Sequence, residues 1–211
     1  MSILSYGLTF IAAYLLGSIP TGYWVGRAKG VDIRTVGSKN MGATNVFRTV
    51  GKTLGILVLL VDALKGWLAV ACVAPLIGHA FPSDAAPVWL AVTAGFGAIF
   101  GHNYTCWLQF KGGKGIATSA GVFLALVPDA LGIALGVWIV LFAATRYVSV
   151  ASMAAAAVLP LAAWLTTRDI RLTAVAGVAG VLAIYKHKAN LGRLLAGTEH
   201  RIELGKKKGA Q

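Results

Sequence analysis

Seven apolar stretches divided by short polar connections limit what this chain can fold into before any motif is considered. They run over about 5–26, 54–77, 87–108, 115–128, 130–145, 148–166 and 172–186. A helix that crosses a bilayer needs about 20 mostly apolar residues. Lipid offers the backbone no hydrogen-bonding partner, so only helices or closed barrels can satisfy it. Charged residues are 12% of the 211 positions, about half the share in soluble domains. The expectation is an all-α polytopic membrane helix bundle of about seven transmembrane helices. The stretches at 115–128 and 172–186 are short, which suits half-helices or tilted segments. The first stretch lacks a basic leader and a convincing cleavage signal, so it reads as a retained helix.

The distribution of charge orients this bundle. The net charge is +12, which by itself would suit nucleic acid. The pattern argues otherwise. Lys and Arg gather in the first connection (Arg27, Lys29, Arg34, Lys39, Arg48, Lys52), the third (Lys111, Lys114), the fifth (Arg146) and the C-terminal segment from Lys186 onward. The even connections hold only Arg168 and Arg171. Cytoplasmic loops carry the basic excess. The split therefore places the N-terminus outside and the C-terminus in the cytoplasm, and the basic face attracts anionic lipid rather than nucleic acid. Residues 1–204 read as one integral-membrane domain and 205–211 as a basic tail. Gly132, Gly136, Ala154, Ala155, Gly177 and Gly180 are candidates for close helix packing. Cys72 and Cys106 lie in apolar stretches and form no disulfide or metal pattern.

Chemistry concentrates in polar islands. Lys111-Gly112-Gly113-Lys114-Gly115 brings flexible backbone and two cations to the edge of an apolar stretch, with a helix expected to start near Gly115. Converging amides and a helix N-terminus suit a phosphate. The run is not a nucleotide-hydrolysing loop, because Leu108 stands where that pattern needs glycine and Gly115 where it needs Ser or Thr. The first island along the chain, Gly37 to Arg48, is crowded with hydrogen-bonding groups. A helix from about Ser38 would set Asn45 beside Arg48 and Met41. Arg48 can grip a phosphate, and Asn45 can orient a hydroxyl. The third island is Lys186 to Arg193, where helical spacing puts His187 and Asn190 on one face. A basic cluster marks the exit of many last spans, but that explains neither His187 nor Asn190. Asp62 and Lys65, three apart inside an apolar stretch, read as a buried ion pair. His102-Asn103 precedes the glycine run and is placed to support it. Ser149 and Ser152 open the sixth stretch. His79 and Asp84 have the spacing of a glycerolipid acyltransferase motif, but they fall in the second connection, on the outer side, and read as coincidence.

These islands resemble, in order and over nearly the whole chain, the bacterial membrane acyl-phosphate:glycerol-3-phosphate acyltransferases. The matching pieces are Gly17-Ser-Ile-Pro-Thr-Gly22, Asp32-Ile-Arg34, Gly37-Ser-Lys-Asn-Met-Gly-Ala-Thr-Asn45 with Arg48, Asp62 with Lys65-Gly66, and Gly101-His102. They continue with Phe110-Lys-Gly-Gly-Lys-Gly-Ile-Ala-Thr118, Arg146-Tyr-Val-Ser-Val-Ala-Ser152, Lys186-His187 through Asn190, Arg193-Leu194 and Gly197-Thr-Glu199. One departure stands out: Lys39 occupies a position where the family usually has glycine. The resemblance implies seven spans in the bacterial cytoplasmic (inner) membrane, with the active site toward the cytoplasm. It implies acyl phosphate and glycerol 3-phosphate as substrates, membrane lipid as the setting, no nucleic acid, and lysophosphatidic acid and phosphate as products.

The resemblance also implies the site residues. Ser38, His187 and Asn190 take catalytic roles. Arg48, Lys114, Gly112, Gly113, Gly115, Asn40, Asn45 and Ser152 bind substrate. His187 is one candidate base toward the glycerol hydroxyl, and a substrate phosphate is the other. An acyl phosphate is already an activated anhydride, so the expectation is a reaction with no cofactor and no metal. The alternative from another class is a small-anion transporter built around Asp62 and Lys65. It lacks a series of polar residues continuing to the outer face.

Overall fold

A computed structural model of the chain describes residues 2–81 and 86–202. The basic tail at 205–211 and Asp84 of the His79/Asp84 pair lie outside the described residues. Every regular element among the described residues is helical: α1 (Ser2–Gly17), α2 (Thr21–Ala28), α3 (Ala43–Thr49), α4 (Lys52–Leu68), α5 (Ala74–Ala80), α6 (Pro87–Asn103), α7 (Ile116–Leu126), α8 (Pro128–Thr145), α9 (Val148–Thr167), α10 (Ile170–Lys186) and α11 (Lys188–Leu195). The chain divides into two compact units, Met1–Leu131 and Gly132–Gln211.

All seven expected stretches are helical over most of their length. Four are long and apolar enough to cross a membrane: Ile3–Ala28, Lys52–Ala80, Pro128–Thr145 and Val148–Thr167. A fifth is Ile170–Lys186 with Lys188–Leu195, if that pair, bent by 53°, counts as one span. The α6 helix, with 17 residues, and α7, with 11, are shorter than a perpendicular crossing needs. The α4 helix exposes an apolar face and buries its charged one. Leu60 and Leu64 are 61% and 51% exposed, whereas Asp62 and Lys65 on the same helix are 2% and 3% exposed.

In the first unit, α1 packs on α6 and α4 on α7, in both cases through glycines that admit a neighbouring backbone. A Cβ on Gly17 would strike the backbone of Ala98, and one on Gly101 the carbonyl of Tyr14. A Cβ on Gly66 would strike Thr118, and one on Gly121 Ala63. Without a hydrophobic driving force between helices in lipid, such close approach is a principal source of cohesion. The packing glycines differ only in part from those expected. A methyl on Gly132, Gly136 or Gly177 would meet no described atom within 4 Å, while one on Gly180 would come within 2.6 Å of the Ala156 carbonyl. The helix periodicity of short apolar runs does not reveal which small residues face a partner.

Two interruptions have local causes. Pro20 removes an N–H donor and breaks the first span between α1 and α2. At this break Thr105 Oγ1 donates to Ser18 O at 2.6 Å, and Lys65 Nζ donates at 2.9 Å to Ile19 O, which also accepts the Thr21 amide at 3.0 Å. Pro75 likewise cannot bond back four residues, and the turn before it, Ala69–Val73, widens to a π-helix joining α4 to α5.

Candidate active site

The first island is a folded loop, not the helix expected from Ser38. Residues 38–42 are non-helical and α3 begins at Ala43. The reason is Asn45, which is 2% exposed. Its Oδ1 accepts the Ser38 amide at 3.0 Å. Its Nδ2 donates toward Ile33 O at 3.0 Å, Val36 O at 3.1 Å and Asn40 O at 2.9 Å. A side-chain amide copies the peptide's donor and acceptor and so can hold a loop that has no helix or sheet ladder. Asn40 Oδ1 in turn accepts the Gly42 amide at 2.9 Å. Ser38 and Asn40 are half-buried on this loop, and half-buried Arg48 follows in the last turn of α3. Asp32 and Arg34, paired through both carboxylate oxygens, flank the loop, with Arg34 stacked 4.7 Å over Tyr23. The Arg34 hydrogen bonds hold the Asp32 carboxyl down at about 2.

The glycine run follows the expected course, and α7 starts at Ile116 with Gly115 before it at φ +78°. Its glycines are needed for a reason that lies outside the run. The run lies against the C-terminal end of α6. A Cβ on Gly112 would strike the His102 carbonyl, one on Gly113 the His102 ring, and one on Gly115 would come within 2.7 Å of Asn103 Oδ1. The Gly113 amide donates to His102 O at 3.0 Å, so this N–H is used inside the fold. Lys114 stands half-buried between the last two glycines. Behind His102 is the ion pair anticipated from spacing: Lys65 Nζ and Asp62 Oδ1 are 2.8 Å apart, and His102 Nδ1 is 3.7 Å from the same oxygen.

In the second unit the expected continuous helix through the third island breaks at His187, which ends α10 and precedes α11. His187 is 3% exposed and Asn190 5%. His187 Nδ1 lies 2.8 Å from Ala183 O. A carbonyl only accepts, so this contact calls for a proton on Nδ1, which in the neutral ring leaves the lone pair on Nε2. Glu199 belongs to the last matching motif but has no role that its sequence neighbours reveal. The structure makes it the hub of this region. Glu199 Oε1 accepts from Asn190 Nδ2 at 2.8 Å and Ser149 Oγ at 3.0 Å, and Oε2 accepts from Arg193 Nε at 2.7 Å. The signal in the sequence was a carboxylate close to a basic cluster in a chain with only seven acidic residues. Ser152, 2% exposed, accepts from Trp138 Nε1 at 3.1 Å. His79 Nδ1 contacts Pro75 O at 2.7 Å, within its own helix.

Comparison with known proteins places these features. The family model described as "Glycerol-3-phosphate acyltransferase" matches residues 7–197. A glycerol-3-phosphate acyltransferase of Synechococcus sp. (strain JA-3-3Ab) is 49% identical over 201 residues, covering 94% of each chain. One from Trichlorobacter lovleyi is 48% identical over 198 residues, covering 93% of this chain and 98% of the relative. Among solved structures, the fold is similar to PlsY, an integral membrane glycerol 3-phosphate acyltransferase, in its glycerol 3-phosphate form. The TM-score there is 0.83 at 40% identity, covering 94% of this chain and 96% of that one. The lysophosphatidic acid form of the same enzyme superposes with a TM-score of 0.81. With the match running from the first span to Gly197, the chain belongs to the glycerol-3-phosphate acyltransferase family.

Proposed function

We propose that this protein transfers a fatty acyl group from an acyl phosphate to the 1-hydroxyl of glycerol 3-phosphate, releasing 1-acyl-glycerol 3-phosphate and phosphate. The observation that carries the reading is the family match over residues 7–197, which takes in all three polar islands. The glycerol oxygen attacks the acyl carbon, and the bond from that carbon to the phosphate oxygen breaks. The hydroxyl proton passes either to His187 Nε2 or to a substrate phosphate. Asn190, held by Glu199, orients a polar group of the substrate, and Ser38 and Ser152 supply hydroxyl contacts. Arg48 and Lys114 neutralise phosphate charge, with Gly112, Gly113 and Gly115 shaping the loop that presents Lys114. Charge stabilised at the departing phosphate and at the oxyanion lowers the barrier most. Asn40 and Asn45 act by fixing the loop that carries Ser38.

The same reading has one membrane domain over 1–204, seven spans, the N-terminus outside, and the active site at the cytoplasmic face of a bacterial inner membrane. The distribution of Lys and Arg supports it. The transporter alternative draws no support from the relatives named above, which carry acyltransferase names.

The test is direct. Purified protein is incubated with palmitoyl phosphate and glycerol 3-phosphate without added metal, and lysophosphatidic acid is measured. Folded protein that forms none overturns the reading. Arg48→Ala and Lys114→Ala should each lose at least about 100-fold in kcat/KM, the scale of removing a charged transition-state contact. Near-wild-type rates in both would remove the phosphate assignment.

A further inference from the structure

The buried group that the proposed reaction leaves unused is Asp62, Lys65 and His102. All three are 2–3% exposed. Lys65 bridges Asp62 at 2.8 Å and the broken first span at Ile19 O, 2.9 Å away. His102 Nδ1 lies 3.7 Å from the same Asp62 oxygen. The chain just beyond His102 is pinned to the same broken span: Tyr14 Oη donates to Tyr104 O at 2.7 Å and Thr105 Oγ1 to Ser18 O at 2.6 Å. This end of α6 is therefore held from several directions. On it rests the glycine run, with Gly112 on the His102 carbonyl, Gly113 on the His102 ring and Gly115 on the Asn103 side chain.

We propose that His102 is a positioning residue for the phosphate loop: braced by Asp62 and Lys65, it forms the floor under Gly112 and Gly113 and sets where Lys114 and the neighbouring amides stand. This rests on the phosphate reading of the loop. A buried, rigid floor fixes donor positions to within the fractions of an ångström that phosphate binding requires. The two residue identities are then coupled. Glycine is required at 113 because a histidine ring fills the space a methyl would need, and the ring is required because it reaches far enough to support a loop that has no side chain there.

The coupling is testable through Gly113→Ala, His102→Asn and their double variant, with KM measured for both phosphate substrates. Asparagine keeps an N–H donor near the place of Nδ1, toward Asp62, leaves its Oδ1 near the place of Cδ2, and removes Nε2 and Cε1, the first of which is the atom nearest to the new methyl. Gly113→Ala should raise KM for at least one substrate about tenfold, His102→Asn severalfold, with kcat changed less than threefold in each. The double variant should be no worse than His102→Asn alone, because the methyl occupies vacated space. A KM in the double equal to the product of the single effects overturns the proposal, as does a loss confined to kcat. If His102→Asn does not purify as folded protein, His102→Ala takes its place in the same cycle. Wild-type protein that forms no lysophosphatidic acid would instead overturn the underlying reading, so the two failures are distinct.

Discussion

Asn45 Oδ1 accepts the backbone amide of Ser38 at 3.0 Å, so the asparagine fixes the position of the serine proposed for catalysis. Asn45 commits both ends of its side chain to backbone, which makes it a structural keystone of the first island. Replacing it by aspartate keeps the shape but turns the donor end into an acceptor facing three carbonyls. Each buried polar group left unsatisfied costs about 1–3 kcal/mol. Asn45→Asp is expected to lower activity at least about 100-fold and to open the loop. Hydrogen exchange of the Ser38 amide, slow in the wild type and fast in the variant, is the measurement.

Lys39 adopts φ 55°, a left-handed conformation unfavourable to side chains and natural to glycine. Glycine, expected at this position from the resemblance, would adopt this conformation freely; lysine adopts it at some conformational cost. Lys39→Gly should retain activity and change stability by between zero and about +1 kcal/mol, relief of strain being partly offset by unfolded-state entropy. Lys39→Val, β-branched, should be about 1–2 kcal/mol less stable than Lys39→Gly. Thermal unfolding in detergent of the two variants side by side decides; a Val variant as stable as the Gly variant would contradict the backbone assignment.

Burial alone would push the Glu199 carboxyl up, but hydrogen bonds from Asn190, Arg193 and Ser149 outweigh it and hold the group below its ordinary value of 4.5. A carboxylate depressed in the folded state contributes stability above its unfolded pKa and loses it as pH falls through the folded one. The wild type should therefore exceed Glu199→Gln in stability at neutral pH, and the gap should shrink as pH drops below 4.5. Melting curves of both proteins from about pH 7 to pH 3 test this. A gap independent of pH would mean that shape, not charge, holds Asn190 and Arg193.

Asp62 and Lys65 are buried together at 2.8 Å, and removal of one partner strands the other. Asp62→Ala should destabilise by about 3–5 kcal/mol. Adding Lys65→Met should recover part of this, though not all, because Lys65 also satisfies Ile19 O. A double-mutant cycle on unfolding free energy measures the coupling. Single losses that simply add in the double variant would show that the two residues act independently.

The apolar stretches by themselves determined that the chain is a helical membrane bundle, because length and hydropathy alone decide whether lipid can solvate a segment. Residue types and order likewise exposed the islands around Ser38 and Arg48, Lys114, and His187 and Asn190, since charged and hydrogen-bonding groups at the edge of lipid are costly without a task. What tertiary structure decided was partnership. The sequence puts Asn45 in a polar island but does not show its four backbone contacts, and it puts Glu199 near a basic cluster but does not show its bond to Ser149, 50 residues away. The glycine run reads as an amide cradle, yet Gly112, Gly113 and Gly115 are glycines because His102 and Asn103 leave no room for a Cβ. Composition and spacing report what each residue can do; which group it meets depends on chain reversals that only packing fixes.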